Sequence, residues 1–138
     1  MILDVTAARS SYAHDSILSA SPSRLLTMLF DRLLLDLHRA EAAQRGEDWV
    51  TAGGYLVHAQ EIIAELAGSL DVSRWDGADD LLGIYLFAST RLVDANVERS
   101  ASGTREIIEL MEPLRQAWHD AASLVSGGTS DGRAVDFA

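Results

Sequence analysis

Histidines and carboxylates at helical spacing are the residues here that could do chemistry, and that chemistry would be metal-assisted. The chain has four histidines, His14, His38, His58 and His119, among 21 acidic residues. A carboxylate-bridged metal pair in a helical bundle uses Glu-x-x-His on two helices, which puts an acid and an imidazole on one face. No Glu or Asp is followed by His three residues later, and His58-x-x-Glu61 runs in the opposite sense and occurs once. The histidines are therefore expected to face solvent or cap helices. With no cysteine, disulfides, thiolate catalysis and cysteine-based zinc sites are excluded. Ala52-Gly53-Gly54 is not a phosphate loop, and no serine is expected to act as a nucleophile. The expectation is a protein that is not an enzyme and has no cofactor and no metal.

The formal net charge of -10 argues against a nucleic-acid partner or an anionic-membrane surface, since both need clustered Lys and Arg. No apolar run approaches the roughly 18 residues of a membrane span. "MILDV" lacks the basic and apolar regions of a signal peptide, so a soluble, cytoplasmic protein is expected.

Positioning elements read as helices. Residues 1–20 are Ser/Ala-rich, anchored by Tyr12, Ile17 and Leu18. Ser21-Pro22 reads as N-cap and first helical residue of a helix to about Gln44, stopped by Gly46. A second helix is expected from about Glu47 to Leu70, with Glu47 and Asp48 at its positive end. Gly53-Gly54 inside it costs about 2 kcal/mol of propensity, so either the helix starts later or a neighbour approaches closely there. A third helix should run from about Ala78 to Arg99, capped by Asp76 or Asp79. A fourth should run from about Thr104 to Val125, kinked at Pro113. The Gly/Ser-rich residues 126–138 read as a disordered tail. No stretch of clean alternation competes. The fold expected is all-α: an antiparallel four-helix bundle over residues 21–125, with an N-terminal segment or cap helix and a flexible C-terminal tail.

Two of these helices are too apolar for one wet face. Between Leu25 and Leu37, Leu25, Leu26, Met28, Leu29, Phe30, Leu33, Leu34, Leu35 and Leu37 are all apolar. "LLGIYLF" in the third helix likewise points apolar groups in nearly every direction. Either the N-terminal segment or a second copy covers the surplus, or another protein's amphipathic helices do.

The same residues resemble a known family. Tyr12…Ile17 with "SASPSRLLTMLFD", "AQEIIAEL…SLD" at Ala59–Asp71, "LLGIYLFASTRLVDAN" and "LRQAWHDA" are similar, in order, to motifs of the flagellar secretion chaperones called FliS. The match spans about Tyr12 to Ala122. Phe30 stands where the family usually has Tyr, and Leu86-Phe87 replaces a more polar pair. The resemblance implies a cytoplasmic export chaperone. It would bind the disordered C-terminal segment of flagellin one-to-one, prevent premature polymerisation and support delivery to the flagellar export apparatus. It implies flagellin-binding roles for Tyr12, Ile17, Leu18, Leu29, Phe30, Tyr85, Leu86, Arg91 and Asn96. It further implies that residues 1–20 form a lid over the client groove. The alternatives are a self-associating helical bundle without a flagellin client, such as a weak homodimer, and a ferritin-like metal enzyme, disfavoured by the missing Glu-x-x-His pairs.

Overall fold

A computed structural model describes residues 22–71, 73 and 76–132, with side chains to residue 124. It contains four α-helices and, among the described residues, no strand: α1 Pro22–Arg45, α2 Trp49–Gly68, α3 Ala78–Val97 and α4 Ala101–Gly132. The chain divides into two compact units, residues 29–117 and residues 1–28 with 118–138. The expected N-terminal lid, residues 1–20, lies outside the described residues, as do Ser21 and the tail from residue 133.

Within residues 29–117, stripes at three-four spacing build one core. Phe30, Leu33, Leu37 and Ala40 of α1 are buried with Ala52, Leu56, Ala59, Ile63 and Leu66 of α2. Ala78, Leu81, Tyr85, Ala88, Leu92 and Ala95 of α3 and Ile107, Ile108 and Met111 of α4 complete it. Each large side chain enclosed in this way contributes about 1.5–3 kcal/mol relative to exposure. Cross-helix contacts set the helix directions. Asp36 meets His58, and further along α1 Arg39 meets Tyr55 further back on α2, so these helices are antiparallel. Asp31 pairs with Arg115 and Glu41 with Arg105, which makes α1 and α4 antiparallel as well. The bundle is the expected one.

The ends of the helices differ in detail from expectation. α1 and α3 both close with a left-handed residue, Glu47 at φ 60° and Arg99 at φ 55°. Asp48 N–H then reaches the Ala43 carbonyl at 2.8 Å, and Ser100 N–H reaches that of Ala95 at 2.8 Å. These are Schellman closures, a role that glycine usually takes. The left-handed residue after α1 is thus Glu47 and not Gly46. α2 starts at Trp49, with Asp48 as N-cap accepting from Thr51 N–H. The N-cap of α3 is Gly77, without a side-chain bond; Asp79 and Asp80 instead lie in its first turn, beside the positive helix end.

Glycine placement is a second correction. A Cβ on Gly53 would meet only Asn96, at 3.5 Å, and one on Gly54 nothing. Neither marks a tight approach. The tight one is at Gly103, where a Cβ would lie 3.1 Å from the Ala95 Cβ and 3.2 Å from Ser100 Oγ. Helix α4 runs without a break through Pro113, whose ring is exposed, and continues past Val125 to Gly132.

Candidate functional site

Possible reaction centres can be disposed of by position. Among the described residues, no three His, Cys, Asp or Glu side chains group to hold a metal ion. Gly128-Thr129-Ser130-Asp131-Gly132 has the spacing of a nucleophile elbow, but it lies within the backbone of α4 and follows no strand. His58 neither faces solvent alone nor caps a helix: its Nδ1 is hydrogen-bonded to the Asp36 carboxylate on α1, whose side chain is wholly buried. Arg32 Nε also reaches that carboxylate, at 3.3 Å. A buried carboxylate needs such partners to offset its lost hydration. This pair ties α1 to α2.

A second polar group ties α1 to α3 and α4. Thr104 Oγ1 donates to Gln44 Oε1 at 2.6 Å, and Gln44 Nε2 donates to the Ala95 carbonyl at 3.2 Å. One helical turn away, Glu41 is gripped by Arg105 and by Arg45. The bond from Arg105 holds the Glu41 carboxyl below the usual carboxylate range, against the opposing effect of burial; Arg45 adds to the lowering. These polar side chains make the bundle a specific, registered scaffold.

What the scaffold displays is apolar. α2 exposes Val50 (90%) and Val57, seven residues apart; α3 exposes Leu86 (57%), Val93 and Val97 (78%), seven and four apart. Those spacings put each set on one side of its helix, opposite the core stripe. α2 and α3 pack on each other, with Asn96 against Gly53. Val57 is one turn beyond Gly53, and Val93 is one turn before Asn96. Val57 and Val93 therefore flank the α2–α3 contact, whereas Val50 lines a groove against α1 with Arg32, Asp36, Tyr55 and His58. Apolar patches of this kind mark protein-interaction sites more often than they occur by chance.

The residues expected in a binding site divide three ways. Tyr12, Ile17 and Leu18 lie outside the described residues. Phe30 and Tyr85, at 0% and 1% exposure, are interior residues with ring centroids 6.5 Å apart, so neither ring presents a surface to a partner; this corrects the expectation for both. Their stripes are the inward ones, and burial pushes the Tyr85 hydroxyl up to about 12. Leu29 is half-buried and Leu86 exposed. Arg91 is exposed, paired with Glu106 at 3.1 Å and stacked 5.7 Å from the Phe87 ring. Asn96 is half-buried against Gly53. The sequence reading missed Val50, Val57, Val93 and Val97. Their signal is a second apolar period on α2 and α3, offset from the first, which identifies an outer face only once the inner one is known.

An all-helical bundle whose distinguishing surface is apolar and whose polar clusters are structural belongs to the class of protein-binding modules. Residues 5–125 match the family described as "Flagellar protein FliS". The chain belongs to the FliS family, a family of flagellar secretion chaperones, and is a chaperone and not an enzyme. It is 32% identical over 108 residues to the flagellar secretion chaperone FliS of Escherichia coli (strain K12), covering 77% of this chain and 79% of that one. To the Bacillus subtilis (strain 168) protein of the same name it is 27% identical over 112 residues, covering 81% and 84%. A solved bacterial flagellar chaperone shares the fold at a TM-score of 0.68 and 18% identity, over 86% of this chain and 97% of that one. Among the described residues, no helix is long and apolar enough to cross a membrane.

Proposed function

We propose that this chaperone acts in the cytoplasm on flagellin, binding its disordered C-terminal segment one-to-one and releasing it to the flagellar export apparatus. The single observation that carries the reading, beside family membership, is the exposed apolar seam of α2 and α3 on an otherwise strongly acidic protein. A client segment that folds on binding loses conformational freedom, at a cost of about 2–5 kcal/mol, and needs a long apolar surface to offset it. The rigid bundle core supplies a preformed template, which lowers the ordering cost on the chaperone's side. Covering the client's apolar face prevents its self-assembly. Residues 1–20, with Tyr12, Ile17 and Leu18 as anchors, act as a removable lid on this reading. Leu29, Leu86, Arg91 and Asn96 contribute contacts, and Phe30 and Tyr85 act indirectly by holding the core.

Calorimetric titration with a peptide spanning the C-terminal segment of the host's flagellin tests this. One-to-one binding with a negative heat-capacity change is the expected result. Absence of binding both by the full chain and by a folded chain lacking residues 1–18 rules out the flagellin client. Removing residues 1–18 is expected to raise affinity or leave it unchanged; a loss of more than about tenfold would make the segment part of the site.

A further inference from the structure

Gly54 sits inside α2 with no internal reason to be glycine. Its φ is not in the left-handed region, and a Cβ there would meet nothing within 4 Å. Neither the backbone path nor the packing of this chain calls for it, although glycine inside a helix is destabilising relative to alanine. Gly83 on α3 is equally open, but Gly54 differs in what it borders. It floors an open, mostly apolar groove of about 290 Å³ between α1 and α2, lined also by Arg32 and Asp36 of α1 and by Val50, Thr51, Tyr55 and His58 of α2. A side chain at residue 54 would stand in that groove. The polar groups along it are donors. Arg32 uses Nε on Asp36, whose side chain is wholly enclosed, and its two terminal nitrogens have no partner among the described residues. His58 uses Nδ1 on the same carboxylate. Arg39, one turn past Asp36, lies over the Tyr55 ring at 5.9 Å and pairs with no carboxylate among the described residues. Exposed acids stand at the ends of the groove, Glu47 and Asp48 before Val50 and Glu61 beyond His58. Between them the exposed formal charge on the two walls is that of Arg32 and Arg39.

We infer that this groove is a subsite for the client segment: one large apolar side chain of the client lies over Gly54 against Val50 and Tyr55, and a neighbouring carboxylate of the client lies beside Arg32 and Arg39. This rests on the reading of the protein as a flagellin chaperone, and it adds a place and a side-chain pattern to that reading. An open furrow between two helices suits a chain segment better than a free small molecule, which needs enclosure on most sides. Glycine at the floor lets the apolar side chain seat against the backbone of α2, where any residue with a Cβ would hold it off. Guanidinium groups without a carboxylate beside an apolar trough favour an acid-flanked apolar residue. An acid there gains a charge-assisted bond, whereas a basic flank is repelled.

The test uses the full chain, titrated with the host-flagellin C-terminal peptide at about 50 mM and about 300 mM salt. Three variants are compared. Gly54→Leu fills the groove, Glu109→Leu puts the same side chain at an exposed site on α4 as control, and Arg39→Gln removes one cation without touching the partners of Asp36. Melting curves verify each fold, and G54L should melt no lower than the wild type, since its side chain enters open space. The inference expects G54L to weaken binding about tenfold or more at both salts. R39Q should weaken it about threefold at low salt and less at high salt, and the control should bind as the wild type does. Wild-type affinity in G54L, or an equal loss in the control, overturns the subsite. Wild-type affinity in R39Q at low salt, with G54L still impaired, overturns the acidic flank and leaves the apolar subsite standing. Absence of binding by the wild type and by the chain lacking residues 1–18 overturns the client reading itself, and the subsite falls with it.

Discussion

Arg105 on α4 holds both carboxylate oxygens of Glu41 on α1, Nη2 to Oε1 at 2.6 Å and Nε to Oε2 at 3.1 Å. Arg45 Nη2 adds a third charged donor, at 2.8 Å to Oε2. The Glu41 side chain is 9% exposed, while both arginines reach it from solvent. This arrangement orients α1 against α4, within the unit of residues 29–117.

Replacing Glu41 by Gln keeps the shape and removes the charge. Solvent screens the arginine side of the cluster, so the expected loss is about 1 kcal/mol, read as a lower denaturant midpoint. The pH dependence has a definite sign. The folded-state pKa of Glu41 is depressed, chiefly by its bond from Arg105. Its contribution is therefore present above the ordinary glutamate pKa and is lost as pH falls through the lower folded one. Acid unfolding curves of wild type and E41Q should converge at low pH.

Tyr85 titrates the other way. Burial raises its hydroxyl from 10.0 to about 12. Stability is unaffected below the phenol's ordinary pKa and falls as pH rises from there through the folded one, because the unfolded chain then releases the proton first. Tyr85 should thus ionise late in an ultraviolet titration of the folded protein, and that late step should be absent from Tyr85→Phe. Among the described residues nothing hydrogen-bonds that hydroxyl, so Y85F should fold with unchanged or slightly greater stability.

Alanine at three glycines separates helix propensity from packing. At Gly54 and Gly83 a Cβ meets nothing within 4 Å, and alanine should stabilise by up to about 1 kcal/mol each. At Gly103 the same gain is opposed by a 3.1 Å approach to the Ala95 Cβ, which moves only if α3 moves. Overpacking costs about 1–3 kcal/mol, so G103A is expected to lower the melting temperature while the other two raise it.

Glu47→Gly tests the closure of α1. A left-handed residue with a Cβ is strained by about 1–2 kcal/mol, and glycine relieves it. A modest rise in melting temperature is expected; a fall would show that the Glu47 side chain has a favourable role that outweighs the strain.

The helices and their order were legible in the sequence because an apolar stripe at three-four spacing needs no partner to be seen. Gly, Pro and Asp punctuation bounded them to within about three residues, except at the end of α4, which runs past Val125 to Gly132. The punctuation put the stop of α1 at Gly46, but that the closing left-handed residue is Glu47 is decided only by the backbone path. The absence of Glu-x-x-His was equally legible, being a statement about neighbours in the chain.

The surplus of apolar side chains on the first and third helices was visible too, but not which of them face outward. Phe30 and Tyr85 look like surface candidates in a greasy helix, yet both belong to the inward stripe; Val57 and Val93 look like ordinary helix residues, yet they face out. Local sequence determines the period of a helix. Its rotation about its own axis is chosen by the competition among all four helices for one buried volume, and by the polar contacts that lock the result: Asp36 with His58, Glu41 with Arg105, Gln44 with Thr104. Each joins residues far apart in the chain, the first pair 22 positions and the others 64 and 60. Sequence spacing alone therefore determined the helices and their number, and tertiary packing alone decided which face remains for a partner.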